Sequence, residues 1–188
     1  MPSLLPHTWT ADEVLAIPES PGYRFEAVDG ELIVSPSPSL RHQVAVLALS
    51  ARLLEYSMRH RVGLVVVASF DIVPDPHTVV QPDVLVLPFV DNRPPRSWQE
   101  AGRLLLAVEV LSPSTARTDR QLKRRKYQEM GTVSWLVDLD ERRVEVWRPG
   151  ATAPETAAQR LTWGPVSTAD PLQIDLASFF AHVDGEEL

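Results

Sequence analysis

Apolar and polar positions along this chain follow two different periods, and the changes of period mark its elements. Thr10 before Ala11-Asp12-Glu13 has the form of a helix start, a hydroxyl cap with acids in the first turn, and Pro18 stops it early. Two alternating runs, Tyr23 to Val28 and Glu31 to Val34, flank Asp29-Gly30, the preferred two-residue turn of a hairpin. Ser35-Pro-Ser-Pro-Ser39 reads as a loop ending in a cap. From Leu40 to Arg61 the spacing changes to threes and fours. Val44, Leu47, Ala51, Leu54 and Met58 are expected to form the core-facing stripe of a long helix, with Gly63 as its terminator. Strand is expected over Leu64 to Phe70 and Asp71 to Val73, a turn at Pro74 to His77, and strand again over Val79 to Leu87.

Phe89 to Gly102 is a polar, Pro-rich connection of the kind that carries mobility or specificity. Leu104 to Leu111 is almost wholly apolar, the pattern of a central strand covered on both faces. Thr118 to Met130 reads as a helix with Gly131 at its C-terminal cap. A second hairpin is expected from Val133 to Asp138 and Arg143 to Arg148. Short strands follow at Arg160 to Trp163 and Leu172 to Ile174, and a short helix from Asp175 to Ala181. Helices and strands are thus mixed, an α/β (α+β) chain. With no internal repeat and no break in composition, one domain over residues 1–188 is expected.

At 188 residues and 44% hydrophobic content the chain can build a sizeable core. It has no cysteine, which excludes a disulfide scaffold and cysteine-based zinc sites and points to a reducing compartment. The first residues lack a basic segment followed by a long apolar one, and no apolar run approaches the ~18 residues of a membrane span. A cytoplasmic location without a membrane partner is the expectation. The net charge of −7 argues against a general polyanion binder. Yet Arg117, Arg120, Lys123, Arg124, Arg125 and Lys126 place six of the 18 basic residues in ten positions. Such a cluster can meet a phosphate backbone locally, or be a solvated helix face.

The least ordinary feature is a pair of acids inside apolar runs, Asp83 in Gln81-Pro-Asp-Val-Leu-Val86 and Glu109 in Leu104 to Leu111. A buried carboxylate is costly unless it is paired or holds a metal. Strand alternation puts Gln81, Asp83 and Leu85 on one face, and Leu105, Ala107, Glu109 and Leu111 on one face of the second run. If the runs are neighbours, the two acids converge, and two carboxylates together call for a proton or a cation between them. Magnesium suits them, as a hard ion that takes one or two carboxylates and keeps waters for phosphate substrates. Asp119, Lys123 and Tyr127 follow at helical spacing on one face. A lysine there could orient a water, help deprotonate it, or stabilise developing negative charge. The bland alternative is a turn cap or arginine pair for Asp83 and a salt bridge for Glu109.

The five histidines show no metal-ligand spacing, there is no Gly-x-Ser-x-Gly elbow or phosphate-binding glycine loop, and Ser112-Pro-Ser114 has no base placed for it. His42 lies near the start of the long helix, in a position either to face the site or to cap. Trp98 is either a packing residue or a contact residue of the polar connection.

Together these residues resemble the Uma-two family of putative restriction endonucleases, within the PD-(D/E)XK nuclease superfamily. The matching motifs are Phe25-Glu-Ala-Val-Asp-Gly-Glu-Leu32, Ser35-Pro-Ser-Pro38 with Arg41-His-Gln43, Val80-Gln-Pro-Asp83, Val108-Glu-Val-Leu-Ser-Pro-Ser114, Asp119 with Lys123 and Tyr127, and Gly131 with Trp135-Leu-Val-Asp138. The resemblance runs from about Tyr23 to Phe180. It implies a restriction-endonuclease-like mixed central sheet flanked by helices, with an N-terminal β-hairpin. It also implies a Mg²⁺-dependent endonuclease site, Mn²⁺ being able to substitute, that acts on DNA. Asp83 and Glu109 would be catalytic acids and metal ligands, with the Val110 carbonyl a third ligand. The commoner superfamily pattern has a lysine two residues after the second acid. Here Leu111 stands there, and the lysine of the following helix, Lys123, would replace it as the catalytic lysine. Glu26, His42, Gln81, Asp119 and Tyr127 would support the site, and Arg117, Arg120, Arg124 and Arg125 would contact the backbone of the nucleic acid. A homodimer would suit cleavage of two strands. The rival readings are a nuclease fold that binds nucleic acid without cutting it, a different two-carboxylate hydrolase, and a protein-interaction scaffold.

Overall fold

The computed structural model describes residues 7–165 and 170–186. Thr10 caps α1 (Ala11–Leu15), with Glu13 bonding back to the cap in a reciprocal capping box. The Asp29-Gly30 turn, both residues at positive φ, joins β1 (Tyr23–Val28) to β2 (Glu31–Pro36). Ser39 caps α2 (Leu40–His60). β3 (Gly63–Val67), β4 (Ile72–Asp75), β5 (Thr78–Val80) and β6 (Val84–Pro88) follow. Then come α3 (Trp98–Ala101), β7 (Leu106–Val110) and one continuous helix made of α4 (Ala116–Thr118), a π-helical turn (Asp119–Lys123) and α5 (Arg124–Glu129). β8 (Val133–Asp138), β9 (Arg143–Trp147), β10 (Glu155–Ala157), β11 (Arg160–Trp163), β12 (Leu172–Asp175) and α6 (Leu176–Asp184) complete the order.

A six-stranded sheet in the order β10-β9-β8-β7-β6-β3 forms the centre, mixed because β7 and β8 run parallel while the other pairs are antiparallel. Alternation in its middle strands sorts the core. Val84, Val86, Leu106, Val108 and Val110 pack beneath α2 and α6 with Leu49, Leu53 and Phe180. Leu85, Leu87 and Ala107 point to the other face, where Tyr127 of α5 and Val28, Ile33 and Val80 of a second sheet, β2-β1-β5-β4, cover them. A mixed sheet with helices on its flanks and an N-terminal hairpin is thus observed, as expected.

Three expectations are corrected and one choice between two readings is decided. The long helix is present, but its buried residues are His42, Ala45, Leu49, Leu53, Tyr56 and Ser57, while Leu47, Leu54 and Met58 are exposed. α2 has apolar residues on two sides, so periodicity identifies a helix without saying which side meets the sheet. Gly63 does not end this helix. Arg61 does so at φ 52, and Gly63 opens β3, where a Cβ would sit 2.1 Å from the Leu87 carbonyl oxygen. The run Val79 to Leu87 divides into β5 and β6 in different sheets, because Pro82 lacks a donor and restricts Gln81. The polar connection holds α3, and Trp98 packs inside with its indole N–H donating to the Val73 carbonyl at 2.9 Å, so packing is its role.

Candidate active site

The Pro82 break sets Asp83 at the entrance to β6. Val84 pairs with Val108, so Asp83 stands one step beyond that pair, opposite Glu109. The Val110 N–H donates to Asp83 Oδ2 at 2.8 Å, tying the first acid to the strand that carries the second. Asp83 is 4% exposed and Glu109 1%, and both line a cleft of about 500 Å³ together with Val110. Their convergence, expected from alternation, is present.

The hairpin brings a third acid. Glu26 of β1 is fully buried; its Oε1 accepts the Gln81 N–H at 2.7 Å and forms an ion pair with Lys123 Nζ at 2.8 Å. Gln81 therefore serves the site through its backbone, while its side chain turns away to donate to Asp71 at 2.7 Å. From the following helix, Lys123 Nζ also lies 3.3 Å from Glu109 Oε1 and 3.6 Å from Asp119 Oδ1. The Tyr127 hydroxyl donates to the same Glu109 oxygen at 2.6 Å. The helix widens here, Arg124 N–H bonding the Asp119 carbonyl five residues back. Lys123 stands behind Glu109, buried between the acids, and is not part of the cleft wall.

Two basic side chains, His42 and Arg24, do face the cleft, beside Asp83, Glu109 and Asp119. His42, presented by the first turn of α2, sets Nε2 3.1 Å from Asp83 Oδ2. Arg24, two positions before Glu26 on the same face of β1, places Nη1 3.4 Å from Asp83 Oδ1 and 3.2 Å from the Gln81 carbonyl, with Nε 3.3 Å from Glu26 Oε2. Arg24 is the residue that sequence reasoning passed over. The signal was the i, i+2 pairing with Glu26 in a hairpin strand, which ordinarily marks no more than a surface ion pair.

Four buried carboxylates, Glu26, Asp83, Glu109 and Asp119, share this volume with Lys123, Arg24 and His42. Burial, and then the neighbouring Asp119, Asp83 and Glu26 charges, push the Glu109 carboxyl well above the usual range despite Lys123. Burial likewise raises Asp119. Burial would raise Asp83 too, but the His42 contact, Arg24 and the Val110 N–H outweigh it and hold Asp83 below its ordinary value. For Lys123 the three acids overcome burial and raise its proton affinity, so it is a fixed cation. Arg24 is likewise held charged, its acids prevailing over burial.

Chemically the pocket pairs a well-ionised carboxylate with one that resists ionisation, beside a permanent positive charge. No group of three His, Cys, Asp or Glu side chains among the described residues has metal-ligand geometry. The donor set nevertheless fits a hard cation. Asp83 and Glu109 are oxygen donors on one cleft, and the unfavourable ionisation of Glu109 is what a nearby cation would relieve.

The arginines of the basic segment take other positions. Arg120 is held by Asp138 at 2.7 Å and Glu145 at 3.0 Å. Arg124 lies over the Trp147 ring, 4.3 Å from its centroid, and donates to Gln128. Arg125 is exposed, near Asp29 and Glu129 at 3.9 and 3.8 Å, and Arg117 is exposed beside Gln121. None of the four lines the cleft. Among the described residues, no helix is long and apolar enough to cross a membrane.

Comparison with known proteins agrees with this architecture. Residues 11–176 match the family Uma2, described as "putative restriction endonuclease". A solved structure described as a putative nuclease belonging to DUF820, from Anabaena variabilis, superposes with a TM-score of 0.69 at 21% identity, covering 93% of this chain and 99% of that one. At that identity the likeness is one of fold. No curated protein matches. With the match extending from α1 to the start of α6, the chain belongs to the Uma2 family of putative restriction endonucleases.

Proposed function

We propose that this cleft hydrolyses phosphodiester bonds in DNA and that it works with a divalent cation, Mg²⁺ in the first instance and Mn²⁺ as a substitute. The observation that carries the reading is the opposition of Asp83 and Glu109 at the end of β6 and β7, in one cleft, with Lys123 within 3.3 Å of Glu109. Asp83, Glu109 and the Val110 carbonyl would hold the cation, which supplies Lewis-acid stabilisation of phosphate charge and lowers the pKa of water. Lys123 and Tyr127 orient Glu109 from behind, and Lys123 keeps a positive charge next to it throughout. Glu26 fixes Lys123 and the backbone of Gln81, which holds the Pro82–Asp83 bend in place. Arg24 faces the cleft and offers its guanidinium to the anionic phosphate as charge builds in the transition state. His42 orients Asp83 through its Nε2. Arg117 and Arg125, the exposed arginines of the helix, would meet the nucleic-acid backbone outside the cleft.

A second reading, a nuclease fold that binds nucleic acid without cutting it, draws on Lys123 being enclosed by three acids instead of facing the cleft. The deciding experiment is cleavage of supercoiled plasmid with Mg²⁺, then Mn²⁺, by wild type, Glu109→Ala, Lys123→Ala and Arg24→Ala. Cleavage abolished by EDTA and by Glu109→Ala supports the hydrolytic reading. DNA binding with no cleavage under either ion favours the second.

A further inference from the structure

α2 has two apolar faces and buries one of them. His42, Leu49 and Tyr56, spaced by sevens, lie on its buried side. On the opposite side Leu40, Leu47, Ala51, Leu54 and Met58 are exposed, and Val44, half-buried where it also touches the core, completes intervals of 4-3-4-3-4. Leu40 is 82% exposed, Leu47 69%, Leu54 48% and Met58 73%. This is the a/d seam of a two-stranded coiled coil, set where a heptad places its face away from the core. Soluble monomers seldom expose so continuous an apolar stripe. A repeat of 3.5 residues also selects a partner, because it keeps a seam aligned along another helix.

We propose that a second copy of this chain docks on the seam, α2 against α2, antiparallel about a two-fold axis near the level of Leu49. The seam reads alike in both directions. Leu40 meets the partner's Met58, Val44 meets the partner's Leu54, and Leu47 meets the partner's Ala51, so every layer joins an a to a d position. Charge selects the orientation. Arg41 and Glu55 hold equivalent flanking positions near opposite ends of the helix, and the antiparallel pair brings Arg41 beside the partner's Glu55. A parallel pair would set Gln43 against Ala48 and Ser50 against Glu55, with no opposite charges. Arg41 is already held by Asp140 at 2.6 Å and Asp184 at 2.8 Å, so the new contact affects orientation more than affinity. The seam is about 27 Å long. One helix pair covers less than the ~1,200 Å² of a standard interface, which places the dimer at about micromolar affinity. Ser39, His42 and Gln43 line the cleft, so the two clefts fall at opposite ends of the interface. None of this depends on the hydrolytic reading.

Sedimentation velocity of the full chain across the micromolar range tests it. The expected result is a mass rising from that of one chain toward two for wild type, with Leu47→Glu/Leu54→Glu remaining monomeric and keeping the wild-type circular dichroism melt. Leu47→Gln, with no added charge, should weaken association at least tenfold and guards against a misfolded double variant. Because the chain has no cysteine, engineered thiols report the register. Leu40→Cys mixed with Met58→Cys should form a mixed disulfide, and Leu40→Cys alone should not couple to itself. A wild type that is monomeric at every concentration, a dimer that survives both seam variants, or rapid self-coupling of Leu40→Cys would each overturn the proposal.

Discussion

At the scale of single residues, the site is governed by an excess of buried carboxylate. Glu109 keeps its proton to higher pH in the folded chain than unfolded, from burial first and like charges second. Between its ordinary 4.5 and its raised value the native state therefore binds more protons than the unfolded one. Stability from this group is complete below 4.5 and lost as pH rises through the raised value. Urea unfolding in EDTA, wild type against Glu109→Gln, should show the wild type losing stability relative to the variant from acid toward neutral pH, by at most about 1.4 kcal/mol per pH unit for one proton. Glu109→Gln should also reduce cleavage by at least about 100-fold. A stability difference that does not change with pH would contradict the electrostatic account. Arg24 is the second residue to test. Arg24→Lys keeps a charge but loses the planar fork that spans Asp83, Glu26 and the Gln81 carbonyl. It should recover little of the roughly 100-fold loss expected for Arg24→Ala in plasmid cleavage.

At the scale of elements, the basic helix and the glycines separate structural from functional roles. Arg120 braces the helix against Asp138 and Glu145 of β8 and β9, whereas Arg117 and Arg125 project outward. Arg117→Ala and Arg125→Ala should each lower the salt slope of DNA binding by about one, and Arg120→Ala should leave it unchanged while costing about 1 kcal/mol or less of stability. Gly63→Ala should destabilise by more than about 3 kcal/mol, because the colliding atom is backbone of β6 and β3 cannot move away without losing its pairing. Gly131→Ala, at φ 70 with open space around it, should cost only about 1 kcal/mol. Chemical denaturation of the two variants separates close approach from conformation. The sequence made most of these elements legible, since Thr10, Asp29-Gly30 and Ser39 act as cap, turn and cap within a few residues of themselves. It did not show that Pro82 divides one apolar run between two sheets, because sheet membership depends on distant strands.

At the scale of the molecule, the cleft exists because two sheets and two helices meet. β1 delivers Arg24 and Glu26, β6 and β7 the paired acids, the first turn of α2 His42, and the helix after β7 Asp119, Lys123 and Tyr127. A ligand that binds only this assembled arrangement stabilises the whole fold. Adding Mg²⁺ at about 100 times its dissociation constant should raise stability by about 2.7 kcal/mol, read as an upward thermal shift that EDTA reverses and Asp83→Asn abolishes. A shift retained in Asp83→Asn would move the ion to another site.

The sequence by itself determined what local chemistry dictates. Caps, turns and strand alternation gave most of the elements, the ordered motifs gave the resemblance to the family, and the improbable acids of Gln81-Pro82-Asp83 and Val108-Glu109-Val110 marked residues that the fold brings together in one cleft. Tertiary structure alone decided which side of α2 meets the sheet, since the two apolar stripes on that helix look alike until one is covered. It also decided that Arg24 turns inward to Asp83 and that Lys123 stands behind Glu109. Both positions depend on the hairpin packing against the central sheet, which brings Arg24 to Asp83 and Glu26 to Lys123 from distant parts of the chain, and no spacing within either segment encodes that contact.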